Sequence, residues 1–139
     1  MATKYNKEIT RQYIKAYEKG NANAPMKFIG PTYTLHPGAN GKPMNVEERK
    51  RDETAFFSAF SSIKAKIEDQ IAEDDKVVAR VTMTCVHTGK YHGIPATGKR
   101  ITIPYIEILH IKAGKIVEEW VEYDTASILE QIDAKGKET

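Results

Sequence analysis

The chain has 139 residues, of which 40% are hydrophobic and 29% charged, with a formal net charge of +2. That composition suits one domain over residues 1–139 with a real hydrophobic core, and excludes a disordered chain. The charge is too small to argue for nucleic acid or an anionic membrane surface. A single cysteine, Cys85, excludes an internal disulfide and a cysteine-based metal site. The N-terminal stretch MATKYNKEITRQYIKAY lacks the apolar centre of a signal segment. No apolar run approaches the roughly 18 residues of a membrane span, so a cytoplasmic location is expected.

Taken in chain order, residues 4–19 read as an amphipathic helix with Ile9, Tyr13, Ala16 and Tyr17 on one face, stopped by Gly20-Asn21. PTYTLHPG (31–38) is a short extended stretch, with Tyr33 and Leu35 pointing one way and Thr34 and His36 the other. A second helix runs from the cap Asn45 to Phe60, with Phe56, Phe57 and Phe60 clustered. Its basic run EERKR (47–51) reads as a solvated face. Strands follow over 63–75, where Ile63, Ala65, Ile67, Asp69 and Ile71 alternate, then over 76–89 and 100–111. Cys85 lies in the second of these and reads as a buried small hydrophobe. Pro104 marks a bulge or an edge in the third. KIVEEWVEYD (115–124) pairs back through a hairpin at Ala113-Gly114. TASILEQI (125–132) closes the chain as a helix capped by Asp124 or Thr125, and the tail 133–139 is expected to fray. Helices followed by strands in short connections give an α+β protein with a mainly antiparallel sheet.

With Ala113 and Gly114 as the turn, a regular ladder pairs Leu109 with Glu118, Glu107 with Trp120, Tyr105 with Glu122 and Ile103 with Asp124. One face then carries Tyr105, Glu107, Glu118, Trp120, Glu122 and Asp124. The other carries Ile106, Ile108, His110, Val117, Val121 and Tyr123. Carboxylates beside a tryptophan suit a concave polar pocket, whereas a flat two-layer packing would leave that face in water.

The runs GIPATGKRITI, ILHIKAGKIVEEW and EDQIAEDDKVVARVTMTCVHTG, the early YTLHP, and the spacing from Trp120 to Asp124 closely resemble the SnoaL-like polyketide cyclase family over residues 5 to 133. The resemblance implies the cone-shaped fold of nuclear transport factor 2-like proteins, a strongly curved sheet wrapping the N-terminal helices around a pocket. It also implies a homodimer through the outer sheet face, a small-molecule substrate, and no metal or cofactor. On this reading the Trp120 face lines the pocket, and the face with Ile108, Val121 and Tyr123 meets a partner copy. Asp124 would be the acid/base of an intramolecular aldol closure, with His36 and Glu107 assisting at the enolate or carbonyl.

The remaining candidates are pocket walls: Trp120, Tyr105, Glu122, Tyr17, Phe57 and Phe60. Each has a plainer reading. Asp124 can be a helix cap, Trp120 and the helix aromatics core packing, Glu122 and Glu107 exposed acids, and His36 a strand-end residue. His87 and His92 lack regular metal-ligand spacing. Epoxide hydrolysis, known on the same fold, would want an acid–arginine–acid arrangement, for which Arg80 is the strand-interior arginine. A ligand-binding module without catalysis is the alternative to an enzyme, because fold does not fix function.

Overall fold

The structure is a computed structural model that describes residues 2–38 and 41–133. Helix α1 spans Ala2–Ala16 and runs on as a turn of 3₁₀ helix, Tyr17–Lys19, which Gly20 ends in the left-handed conformation (φ 80°). A short α2, Asn23–Met26, leads into β1, Ile29–His36. Helix α3, Val46–Ala59, starts on a capping box: the Asn45 side chain accepts from the Glu48 N–H, and the Glu48 side chain accepts from the Asn45 N–H. It feeds directly into β2, Phe60–Glu73, which is followed by β3, Lys76–His87, β4, Arg100–Lys112, β5, Lys115–Tyr123, and α4, Thr125–Ile132.

The sheet order is β1-β5-β4-β3-β2, antiparallel throughout except for the parallel pair β1–β5. The sheet curls around α1, whose Ile9, Tyr13 and Ile14 are buried against it. Alternate residues of β3 and β4, including Val77, Ala79, Val81, Met83, Ile101, Ile103, Leu109 and Ile111, fill the concave side. Each such aliphatic side chain contributes about 1.5–3 kcal/mol by leaving water. Cys85 belongs to this layer, and burial pushes its thiol up to about 12, so it is no nucleophile. Among the described residues no helix is long and apolar enough to cross a membrane.

Three irregularities redirect side chains from the regular alternation expected above. In the β4–β5 hairpin, Ile111 pairs with Ile116, but His110 pairs with Glu118, so Val117 is the extra residue of a bulge. Beyond it Leu109 opposes Glu119, Ile108 opposes Trp120, Glu107 opposes Val121, Ile106 opposes Glu122, and Tyr105 opposes Tyr123. The face assignment of β5 is thereby reversed: Glu119, Val121 and Tyr123 turn inward, and Glu118, Trp120 and Glu122 turn outward. A second irregularity between Ile67 and Asp69 places Asp69 outside and leaves Ile71 67% exposed. A third, at Ser62 (φ 52°), bends the start of β2.

Pro104 keeps its register with β3, opposite Thr82, and causes no bulge. It is tolerated because the β5 ladder ends at Tyr105, leaving this part of β4 with a free side. There α4 takes over: the Gln131 side-chain amide donates to the Thr102 carbonyl and accepts from the Thr102 N–H, both at 2.8 Å. The helix begins on Asp124, whose side chain accepts from the Ser127 N–H. Asp133 is its C-terminal cap, and the expected fraying beyond it lies outside the described residues.

The β3–β4 connection is tied down at both ends. Thr88 and Gly89 N–H groups donate to the Ala59 carbonyl at the end of α3, and the Thr97 N–H donates to Nδ1 of the buried His87. Gly89 allows the close approach, since a Cβ there would lie 1.9 Å from the Ser58 carbonyl oxygen. Gly89→Ala is therefore expected to cost about 1–3 kcal/mol, read as a lower denaturant midpoint with an unchanged slope. An unchanged midpoint would show that the loop does not depend on this contact.

Candidate active site

Between α3, the β3–β4 connection, the inner faces of β4 and β5, and α4 lies a cavity of about 270 Å³. Tyr17, Phe56, Tyr91, Tyr105, Tyr123, Val121, Ile103, Met83 and Ile128 give it aromatic and aliphatic walls. Arg49, Glu53, Glu107 and Glu119 give it charge, and Asp52, Ala55, Lys90 and His92 complete its lining. Arg49, Glu53, Glu107 and Glu119 are each at most 8% exposed.

These charges form one connected cluster. Tyr13 Oη–H and Tyr33 Oη–H both donate to Glu119 Oε1, at 2.9 and 2.7 Å. Arg49 Nη2 donates to Tyr17 Oη at 2.9 Å and to Tyr13 Oη at 3.5 Å, while Nη1 lies 3.1 Å from Glu53 Oε1 and 3.6 Å from Asp52. Glu107 and Glu119 face the same cavity, so the two buried carboxyls act on one another electrostatically. Burial, and then the Glu119 carboxyl beside it, push the Glu107 carboxyl well above the usual carboxylate range. Burial also raises Glu53, in spite of Arg49 beside it. For Arg49 itself burial works against the charge, but Glu53, Tyr17, Tyr13 and Glu119 together outweigh it and the guanidinium stays ionised. One oxygen each of Glu107 and Glu53, and Nε of Arg49, are buried without a hydrogen-bond partner.

Of the residues singled out from the sequence, Glu107, Tyr105 and Tyr17 line this cavity. Phe57 and Phe60 stand behind the lining, Phe57 against Tyr17 (ring centroids 5.6 Å) and Phe60 against Phe56 and Tyr91 (5.2 and 5.0 Å). Trp120 and Glu122 are placed on the opposite face of the sheet, a correction that follows from the Val117 bulge; His36 lies on that face too, because its β1 neighbours Tyr33 and Leu35 fill the inner side. There His36 stacks on Trp120 at 5.1 Å and its Nε2 lies 2.7 Å from Glu118, with Lys76 over the Trp120 ring. Asp124 is exposed and caps α4; its neighbour Tyr123 reaches the cavity. Arg80 pairs with Asp69 on the outer face, and the acid–arginine–acid grouping inside the cavity is Asp52–Arg49–Glu53. Among the described residues no group of three or more His, Cys, Asp or Glu side chains is placed to hold a metal ion.

Arg49, Glu53 and Glu119 are the residues that sequence reasoning passed over. The pair Arg49 and Glu53 stands at i,i+4 on α3, spacing that puts both on one helix face. That face also carries Phe56 and Phe60 one and two turns on, which marks it as inward. Glu119 was recoverable only by allowing a bulge.

The buried proton has a thermodynamic signature. The folded chain holds a proton on Glu107 that the unfolded chain releases near 4.5. Its contribution is fully present below that pH and is lost as pH rises toward the raised folded value. Glu107→Gln keeps the shape and removes the titration. At pH 8 it is expected to be more stable than wild type by about 1 kcal/mol or more, the two converging near pH 4. Parallel stability–pH curves would show that Glu107 does not hold the proton.

With this geometry in place, comparison with known proteins gives a consistent picture. The profile of the SnoaL-like polyketide cyclase family matches residues 7–132. The aklanonic acid methyl ester cyclase DnrD of Streptomyces peucetius is 29% identical over 126 residues, covering 84% of this chain and 83% of that protein. DauD of Streptomyces sp. (strain C5), of the same name, is also 29% identical over 126 residues, 84% of this chain and 75% of its own. The crystal structure of AclR from Streptomyces galilaeus superposes with a TM-score of 0.86 at 21% identity, covering 94% of this chain and 82% of that one, a likeness of fold. Matched over nearly its whole described length and folded in the same way, the chain belongs to the SnoaL-like polyketide cyclase family.

Proposed function

We propose that the protein is a cofactor-independent acid/base enzyme that closes a ring by an intramolecular aldol step on a neutral, carbonyl-bearing, largely apolar molecule. The observation that carries this reading is the pair of buried carboxyls, Glu107 and Glu119, lining a cavity with aromatic walls, where burial raises Glu107 above the usual carboxylate range. At about 270 Å³ the cavity is near the lower end of small-molecule sites, so it would enclose the reacting end of a polycyclic substrate rather than all of it.

The proton count closes. The pair, holding one proton, takes a second from the carbon α to the ester carbonyl. The enolate carbon attacks the ketone carbon, a C–C bond forms, and the carbonyl π electrons move onto its oxygen. That oxygen takes a proton back from the pair, which returns to its starting state. A semi-dry site favours both transfers, because a carboxyl raised toward neutral pH serves as acid and, once deprotonated, as base. Asp124, the position that the family resemblance implies for this role, stays a candidate through its place next to Tyr123. His36 would act only through the sheet. The reading extends to the cytoplasm as location, and to a homodimer joined by the outer sheet face, where Ile106 is 47% exposed beside Ile108 and Trp120.

The test uses aklanonic acid methyl ester, the compound in the relatives' names, as first substrate. Glu107→Gln is expected to lower kcat by roughly 100-fold or more and Asp124→Asn by less than about tenfold. The reverse order would return the acid/base role to Asp124. One observation favours a second reading: Glu119 already accepts from two tyrosines, which weakens it as a base. Tight binding of the ester with no turnover in any form would select that reading, a ligand-binding module. Light scattering of wild type and Ile106→Asp tests the dimer; a monomer for both would exclude it.

A further inference from the structure

Among the described residues, one carboxyl of the cavity has no paired counter-ion. Asp52, Glu53, Glu107 and Glu119 all line it, and the last three are at most 4% exposed. Arg49 is the buried cation of the lining, and its terminal nitrogens are already engaged. Nη1 stands 3.1 Å from Glu53, and Nη2 donates to the hydroxyls of Tyr17 and Tyr13 at 2.9 and 3.5 Å. Lys90 and His92, the other basic residues of the lining, are exposed. Glu119 is satisfied by the hydroxyls of Tyr13 and Tyr33. Glu107 is different: it is 3% exposed, and its Oε2 has no hydrogen-bond partner. Buried carboxyls ordinarily have a partner, because burial without one is costly. Around the same space stand the rings of Tyr17, Phe56, Tyr91, Tyr105 and Tyr123. Aromatic faces carry negative potential and attract cations, most strongly where water is excluded.

We propose that the cavity is also a binding site for a small primary ammonium compound with an apolar body, its N–H group donating to Glu107 Oε2 and its charge and carbon skeleton lying among the aromatic rings. This binding is independent of the aldol step and gives the cavity a ligand class of its own. The ammonium supplies the donor and the positive charge that Glu107 lacks, and a charge-assisted hydrogen bond is about twice as strong as a neutral one. At about 270 Å³ the space suits a single ring with a short chain. Binding also displaces a proton. Burial and then Glu119 raise Glu107, with Arg49 opposing them to a lesser extent, so the empty site is protonated there below the raised value. The groups that act on Glu107 are Arg49 and Glu53 of α3, Glu119 of β5, Tyr13 of α1 and Tyr105 of its own strand. Lys90 and His92 join them from the β3–β4 connection. An ammonium beside Glu107 favours the ionised carboxyl. The Glu107 proton therefore leaves to solvent as the ligand enters with its own protons retained, and affinity rises with pH up to the raised value.

The experiment is isothermal titration calorimetry of the full chain between pH 6 and pH 8 with three molecules of similar shape: phenethylamine, the neutral 2-phenylethanol and the anion phenylacetate. Phenethylamine is expected to bind roughly tenfold or more tightly than the alcohol, with phenylacetate the weakest. Its affinity should rise by up to about tenfold per pH unit, with proton release seen as a dependence of the heat on the buffer. Glu107→Gln, which keeps the shape, should bring amine and alcohol together and abolish the release; any slope left in it belongs to His92. Equal binding of amine and alcohol by wild type, or binding of neither, overturns the proposal. A preference for phenylacetate does so too, since Arg49 would then govern recognition. Unchanged amine affinity in a folded Glu107→Gln protein is equally fatal. Turnover of the ester without a preference for the amine overturns this proposal and leaves the acid/base reading standing. A preference for the amine in a protein that never turns over the ester upholds it and defeats the cyclase reading alone.

Discussion

A guanidinium removed from water is the constraint around which this structure is arranged. Arg49 is 8% exposed, and an unpaired cation in that position would cost several kcal/mol. Its compensation comes from distant parts of the chain. Glu53 stands one turn along α3, and the hydroxyls of Tyr13 and Tyr17 come from the N-terminal segment. Glu119 is reached through Tyr13 and is held in turn by Tyr33 of β1. The requirement that these groups meet fixes how α1, α3, β1 and β5 are placed around the cavity. It also explains why three carboxyls can be buried beside one cation: Glu107 is kept neutral by its proton, as low-dielectric surroundings demand.

Much of the architecture was legible in the sequence, because it rests on local chemistry. The Asn45 cap, the Ala113-Gly114 turn, the β-branched run of β3 and the cap at Asp124 each follow from a few neighbouring residues. The facing of β5 was not legible. It depends on Val117 being an extra residue, and nothing in KIVEEW distinguishes a regular ladder from a bulged one. A single inserted residue exchanges the two faces of everything beyond it. Hence Trp120 and Glu122, expected inside, are outside, and Glu119, Val121 and Tyr123 took their place. Glu107 and Tyr105 were unaffected, since they belong to β4, whose pairing with β3 is unbroken.

The second illegible feature is Arg49. Charge in a helix ordinarily signals solvent, and the run EERKR contains four residues for which that holds; Glu47, Glu48, Lys50 and Arg51 are exposed. The exception is revealed only by what surrounds it in space. Helix α3 buries Arg49, Glu53 and Ala59, a face of mixed character that hydrophobic periodicity cannot detect. Polar interiors of this kind escape pattern reading in general, because the pattern assumes that the core is apolar. The family resemblance had the complementary weakness. It located the fold, an aspartate just past the end of β5 and Glu107, but it carried no information about Glu119 or Arg49, which the geometry brings forward.

The Gln131–Thr102 contact bears on behaviour outside the site. Where β5 leaves the sheet, β4 would present bare amide and carbonyl groups to any passing chain, the template on which intermolecular strands grow. A proline in the ladder and a glutamine amide laid against the next backbone groups act together there as a stopper, one withholding a donor and the other occupying what remains. The terminal helix is thus a guard on solubility as well as a wall of the cavity. Loosening it would open the apolar interior and a sticky edge in the same motion.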